Sequence, residues 1–165
     1  MDPSPAASEF RFEKRRTEAV VMLVSGESVH GCFFTAGGTA RHAGGERVGD
    51  LLNAETGFFP FETQVDAETR TVQYNRAHVV TVAVFDEEVR RDPGYAVATR
   101  RGVSILLSTG RRINGVILIH QPAGRDRLSD WARQPEPFRY FETADGMTLI
   151  VNVAHIIEVN EVTQS

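Results

Sequence analysis

One cysteine, Cys32, and one lysine, Lys14, occur among the 165 residues. A lone cysteine excludes an internal disulfide and a cysteine-rich zinc site. Within Gly31-Cys32-Phe33-Phe34 it reads as a small core residue rather than a reactive thiol. Since lysine is nearly absent, the positive charge is carried by arginine, and the net charge of -4 argues against a general polyanion binder while leaving room for a local basic face. No apolar run reaches the ~18 residues of a membrane span, and the opening MDPSPAASEF has neither the basic flank nor the apolar run of a secretory signal. A cytoplasmic location with no membrane association is expected. His30, His42, His78, His120 and His155 show no i, i+2 or i, i+4 pairing and no cysteine partner, so neither a metal nor a cofactor is expected.

The 41% of hydrophobic residues is enough to build a core, and their arrangement is repeated. FFPFET (58–63) returns as FRYFET (138–143), and NRAHVVTV (75–82) returns as NVAHIIEV (152–159). Gly26 and Gly31 fall on Gly110 and Gly115, and Arg47-Val48-Gly49-Asp50 falls on Arg127-Leu128-Ser129-Asp130. The offset shrinks along the chain, from 84 at Gly26 and Gly110 to 80 at Phe58 and Phe138 and 77 at Asn75 and Asn152, while the order is kept. An internal repeat does this; chance similarity does not. The expected organisation is a flexible tail over 1–16, a first repeat over 17–85, a linker over 86–100 marked by Asp92-Pro93-Gly94, and a second repeat over 101–162.

Each repeat reads as five short strands. Ala19 to Val24 and Val103 to Ser108 open them, each closed by a glycine turn. The second strands, Val29 to Thr35 and Ile113 to His120, carry Gly31 and Gly115 inside, which marks a bulge, a bend or a close backbone approach. Asp50 and Asp130 are expected to cap a single helical turn. The phenylalanine-rich segment is strand three, with Phe58 and Phe138, Phe61 and Phe141 as matched core positions and Pro60 as a sign of an edge or bulge. Strand four leads into a brief break at Asn75-Arg76-Ala77 or Asn152-Val153-Ala154, and strand five is Val79 to Val84 or Ile156 to Val159.

This is the order of a small SH3-like or Sm-like barrel, so the expected fold is all-β, two tandem five-stranded barrels packed as a pseudo-symmetric pair. Val103, Ile105, Leu107, Gly110, Ile113 and Gly115 resemble the first Sm signature, and NVAHIIEV resembles the closing motif of bacterial Sm-like proteins. The segment RVGDLLN is similar to one found in uncharacterised bacterial Sm-like families. The resemblance implies RNA binding as one function, although the Asp-x-x-x-N loop of the RNA-binding members has no counterpart in TAGGTARHAGGER or QPAGRDR.

The repeated His78 and His155 are the first residues to test as catalytic, but no nucleophile-elbow serine or cysteine accompanies them, and a ring nitrogen bonding a turn carbonyl is the simpler reading. Glu62 and Glu142 read as the solvent face of a strand rather than an acid-base pair. The glycines of AGGTARHAGGER lack the lysine and helix start of a phosphate loop and read as a hairpin tip. Residues 100–133 concentrate Arg100, Arg101, Arg111, Arg112, Arg125, Arg127 and Arg133 against Asp126 and Asp130, and Arg111, Arg112, Arg125 and Arg127 are the candidate binding residues. The function expected is a non-enzymatic interaction or scaffold module that binds a protein partner or self-assembles as a homo-oligomer through barrel edges. The alternative is RNA or single-stranded nucleic-acid binding through the arginine-rich second repeat.

Overall fold

Short alternating runs of apolar and polar residues, each stopped by a glycine turn, carry the chain through strand after strand. The computed structural model describes residues 14–37, 45–85, 88–92 and 94–162. In the first half these form β1 (Lys14–Leu23), β2 (Ser28–Ala36), the short helix α1 (Val48–Asn53), β3 (Phe58–Val65), β4 (Glu68–Asn75) and β5 (Val79–Val84). The second half follows with β6 (Thr99–Leu107), β7 (Arg112–Ile119), α2 (Leu128–Ala132), β8 (Phe138–Thr143), β9 (Thr148–Asn152) and β10 (Ile156–Glu161). Two 3₁₀ turns, Glu88–Arg91 and Tyr95–Val97, link the halves, and β6 begins inside the expected linker. β1 begins at Lys14, inside the segment expected as tail. The glycine-rich hairpin tip at 38–44 and Pro93 lie outside the described residues.

All ten strands are antiparallel in one sheet, in the order β10-β6-β7-β8-β9-β5-β1-β2-β3-β4. Each half contributes the same internal order, with its fifth strand beside its first and its fourth strand last. The sheet is not closed. Its ladder runs through the β5–β9 pair and ends at β10 on one side and β4 on the other.

Alternate residues of the long strands turn inward and form two apolar clusters. The first gathers Ala19, Val21, Phe33, Phe59 and Phe61, with the Phe33 ring against Phe59 and Phe61 at centroid distances of 5.4 and 5.0 Å. The second gathers Val103, Ile105, Leu107, Ile117, Trp131 and Phe141. Cys32 sits half-buried on the opposite face of β2 from Phe33, because the strand period of two sends neighbours to opposite sides. It is therefore not the core residue expected. Phe61 and Phe141 are buried as expected, but Phe58 is exposed while Phe138 is buried.

Gly31 and Gly115 turn out to be close backbone approaches. A Cβ on either would lie 2.1 Å from the Glu62 carbonyl oxygen or 2.0 Å from that of Glu142. The β2–β3 ladder is only the two pairs Gly31 with Thr63 and Cys32 with Glu62. β3 lies between β2 and β4 and so is not an edge strand, but Pro60 falls beyond the end of the β2–β3 ladder, where its missing N–H breaks no pair.

The aspartates are one turn later than expected. Arg47 and Arg127 occupy the N-cap positions; Asp50 and Asp130 are the third helical residues and accept the Arg47 and Arg127 backbone N–H groups at 3.0 Å each. This is the return half of a capping box, which uses an acidic side chain three residues into the helix.

Candidate interaction surface

Strand β5 reads VVTVAV, and an apolar run of that kind needs cover on both faces. It pairs with β9, Thr81 opposite Val151, Val82 opposite Ile150, Ala83 opposite Leu149 and Val84 opposite Thr148. On its other side Thr81 pairs with Met22 and Val79 with Leu23, which leaves Val80 as a bulged residue with no partner in β1. A bulge re-aims a side chain. Val80 is 0% exposed and packs in the second half's cluster with Val103, Ile105, Phe141 and Val151. In return Phe138, 4% exposed, and Ile150 pack in the first half's cluster with Val48, Leu52, Val79 and Val82.

Polar bonds close the same joint. Asn53 Nδ2 donates to the Phe138 carbonyl at 2.8 Å while the Phe138 N–H donates to Asn53 Oδ1 at 2.9 Å. The Gly49 N–H donates to the Tyr140 hydroxyl at 3.1 Å. Asn152 accepts the Ala154 N–H at 3.1 Å and donates through Nδ2 to the carbonyls of Val79, at 2.9 Å, and Arg76, at 3.3 Å. His155 Nε2 lies 2.7 Å from the Ala77 carbonyl, which can only accept, so the ring hydrogen is on Nε2. Nδ1 then takes the Ser108 hydroxyl at 2.9 Å. The turn-carbonyl bond expected for this histidine is present, and it spans the two halves.

The two strands that end the sheet are the counterparts of the two at the joint. Because Phe58 pairs with Asn75 as Phe138 pairs with Asn152, β4 corresponds to β9 residue by residue. β10 corresponds to β5, down to its bulge, since Ile156 pairs with Leu107 and Glu158 with Leu106 and Ile157 is left over. The exposures invert. Ile157, the counterpart of Val80, is 64% exposed, and Phe58, the counterpart of Phe138, is 61% exposed. Asn75 repeats the Asn152 cap, accepting the Ala77 N–H at 3.0 Å, while its Nδ2 has no partner among the described residues.

The sequence-predicted arginines are not brought together. Arg111 and Arg112 stand at one end of β7, Arg125 and Arg127 beyond the other, roughly 25 Å away along an eight-residue strand. One of the four and two neighbours are already paired: Arg112 with Glu158 at 3.4 Å, and Arg101 with Glu161 and Arg100 with Glu142 at 3.0 Å each. Those acids come from strands beyond residue 133, which is why the local count of charge overstated the basic face. Glu142 also accepts the Tyr95 hydroxyl at 2.8 Å. Burial alone would raise its carboxyl, but the bonds from Tyr95 and Arg100 outweigh that and hold it below the ordinary value of 4.5. Glu62 pairs with Arg16 at 3.5 Å, so the two repeated glutamates occupy separate ion pairs, not one acid-base site.

Beside the joint, Arg47, Asp92, His120, Trp131, Arg139 and Tyr140 line a cleft of about 670 Å³. Its cations are engaged. Arg47 bonds Asp50 and Asp92 at 3.1 Å each and lies over the Tyr140 ring, and Arg139 donates to the carbonyls of Trp131, Gln134 and Glu136. Burial would raise Asp92, yet the Gly94 N–H and Arg47 hold it below the ordinary value of 3.8. Among the described residues no group of three or more His, Cys, Asp or Glu is placed to hold a metal ion, and no helix is long and apolar enough to cross a membrane.

No family model, curated protein or solved structure matches the chain.

Proposed function

We propose that the protein is a non-enzymatic interaction module, two small Sm-like barrels fused in tandem, which binds an extended polypeptide by adding a strand at β4 or β10. The repeated order of fifth, first, second, third and fourth strand in each half supports the barrel reading. The observation that carries the binding reading is the state of the two outermost strands. Among the described residues each leaves one side of its ladder unpaired, and each carries or adjoins a large exposed apolar residue, Ile157 within β10 and Phe58 opposite the end of β4. An open strand edge supplies main-chain hydrogen bonds, and the flanking apolar side chains supply selectivity. His155 supports the non-enzymatic reading, because both ring nitrogens are engaged, Nε2 with the Ala77 carbonyl across the joint and Nδ1 with Ser108 in its own half.

Amide hydrogen exchange tests it. A bound partner should slow exchange across 68–75 or 156–161; protection confined to the α1 and α2 surfaces or to the β6–β7 turn would overturn the reading. Nucleic-acid binding through Arg111, Arg112, Arg125 and Arg127 is the weaker alternative, since Arg112 is ion-paired and the four divide between opposite ends of β7. Salt-dependent binding of a labelled oligonucleotide, lost on replacing Arg111 and Arg112 by alanine, would establish it instead.

A further inference from the structure

We propose that the groove between the two halves, on the outer side of β1, binds a straight-chain aliphatic monocarboxylate with its carboxylate on Arg111. This site is independent of strand addition at β4 or β10. It shows first as a break in pattern along β1, whose residues facing away from the core are Lys14, Arg16, Glu18, Val20 and Met22. The first three are charged and exposed; the last two are apolar and only partly buried. The outward face of an antiparallel sheet is ordinarily polar throughout. The change falls where Val20 pairs with Ala83 and Met22 with Thr81, at the joint.

There β1 and β5 form one wall of a groove of about 450 Å³. The second half supplies the other, because the β7–β8 ladder ends at Gly115 opposite Thr143 and the start of β7 and the β8–β9 turn stand around the opening. Val20, Met22, Ala83, Met147 and Leu149 line it, Met147 being 42% exposed. The volume lies within the ~300–1,000 Å³ of small-molecule sites, which favour such junctions between structural units. Two of the three methionines of the chain are here, and a thioether side chain adapts its shape to a flexible ligand. Among the described residues no aromatic ring lines the groove, so a base or an aromatic acid finds nothing to stack on.

Charge narrows the ligand further. Arg112 is committed to Glu158 and to the Ser104 hydroxyl, and Asp145 accepts the Thr143 hydroxyl. The Arg111 guanidinium has no partner among the described residues. A guanidinium meets a carboxylate through two parallel bonds. Asp145 in the same lining opposes a second anionic group, which leaves one carboxylate at the end of an aliphatic chain. The repeat by itself does not demand this arrangement. In the first half the matching gap between second and third strands has Glu27 at the position of Arg111 and Arg70 at that of Met147, and no further half walls it.

Methyl NMR of methionine-labelled protein, titrated with decanoate below its micelle concentration, is the test. The Met22 and Met147 signals, assigned with Met22→Leu and Met147→Leu, should move together and saturate. Arg111→Ala should weaken binding at least about tenfold, the loss expected of a charge-assisted bond, and Arg111→Lys should recover part of it. Decanol, which lacks the charge, and decanedioate, which carries two, should each bind more weakly than decanoate. Met147→Asp should abolish the movement of the Met22 signal. Arg111 and Met147 are exposed, so Arg111→Ala and Met147→Asp should keep the wild-type thermal melt, which separates a lost site from a lost fold. Methyl signals that stay fixed throughout the titration, decanol binding as tightly as decanoate, or an affinity unchanged in Arg111→Ala overturns the proposal.

Discussion

Arg76 and Arg139 do the same work from positions that do not correspond. Arg76 stands just after β4 and donates to the carbonyls of Leu51, Leu52 and Phe58, at the end of α1 and the start of β3. Arg139 stands within β8 and donates to those of Trp131, Gln134 and Glu136, at the end of α2. The last carbonyls of a helix have no partner within it, and a guanidinium with five donors can meet several at once. Burial draws both groups down from the usual arginine range, and each lies over a ring, Phe59 or Trp131. Replacing either by methionine should cost on the order of 3 kcal/mol in denaturant unfolding, since several charge-assisted bonds are lost and the carbonyls stay buried. Lysine, with a single compact ammonium group, should recover only part of it. Residue-by-residue alignment of the repeats could not show this equivalence, because Arg76 faces Val153 and Arg139 faces Phe59. Gly31 and Gly115 were legible, because glycine at matched strand positions announces a steric need. Gly115→Ala should destabilise by about 3 kcal/mol, as a Cβ there forces β7 from β8.

At the scale of elements, the difference between the two fifth strands is written in their composition. VVTVAV is apolar but for the buried Thr81 and lies between β1 and β9, whereas IIEVNE interleaves polar residues and, among the described residues, has a neighbour on one side only. Five strands per half could be read from alternation and turns, and so could the break at each asparagine. Which strands meet across the halves could not, because pairing between distant segments leaves no local periodicity. The continuous apolar run of β5 was the available signal, since it marks a strand covered on both faces. Phe58 was misplaced for the same reason: FFPFET and FRYFET are alike in sequence, but only Phe138 has another half against it. The contrast is measurable. Val80→Ala should cost about 2 kcal/mol and Ile157→Ala less than about 0.5 kcal/mol in the dilute protein, although the larger side chain is the one removed at 157. Equal costs from matched denaturant titrations would contradict the assignment of Val80 to the second core.

For the molecule as a whole, the linker ties the two halves through carboxylates as well as through the shared cores. Asp92 binds Arg47 beside α1, and Glu142 in β8 is bound by Tyr95 and Arg100 from the other end of the linker. Both carboxyls lie below their ordinary values of 3.8 and 4.5 although burial pushes each the other way. A depressed folded-state value means that the unfolded chain takes up protons first as the pH falls. The stability these groups add is therefore complete above the ordinary values, and it is lost as the pH drops through the lower values of the folded protein. Unfolding free energy should fall with acid below about pH 5, with each group contributing no more than about 1.4 kcal/mol per pH unit within its own window. Asp92→Asn and Glu142→Gln should each lower stability at neutral pH and flatten this acid limb, and the double variant should flatten it further. Because Val80 and Phe138 are embedded in the opposite half's core, unfolding at every pH should remain one transition rather than two. Coincident fluorescence of Trp131, which reports the second half, and hydrogen exchange across β1 and β2, which reports the first, would show it; a first half that unfolds at lower denaturant than Trp131 reports would mean that the joint does not couple them.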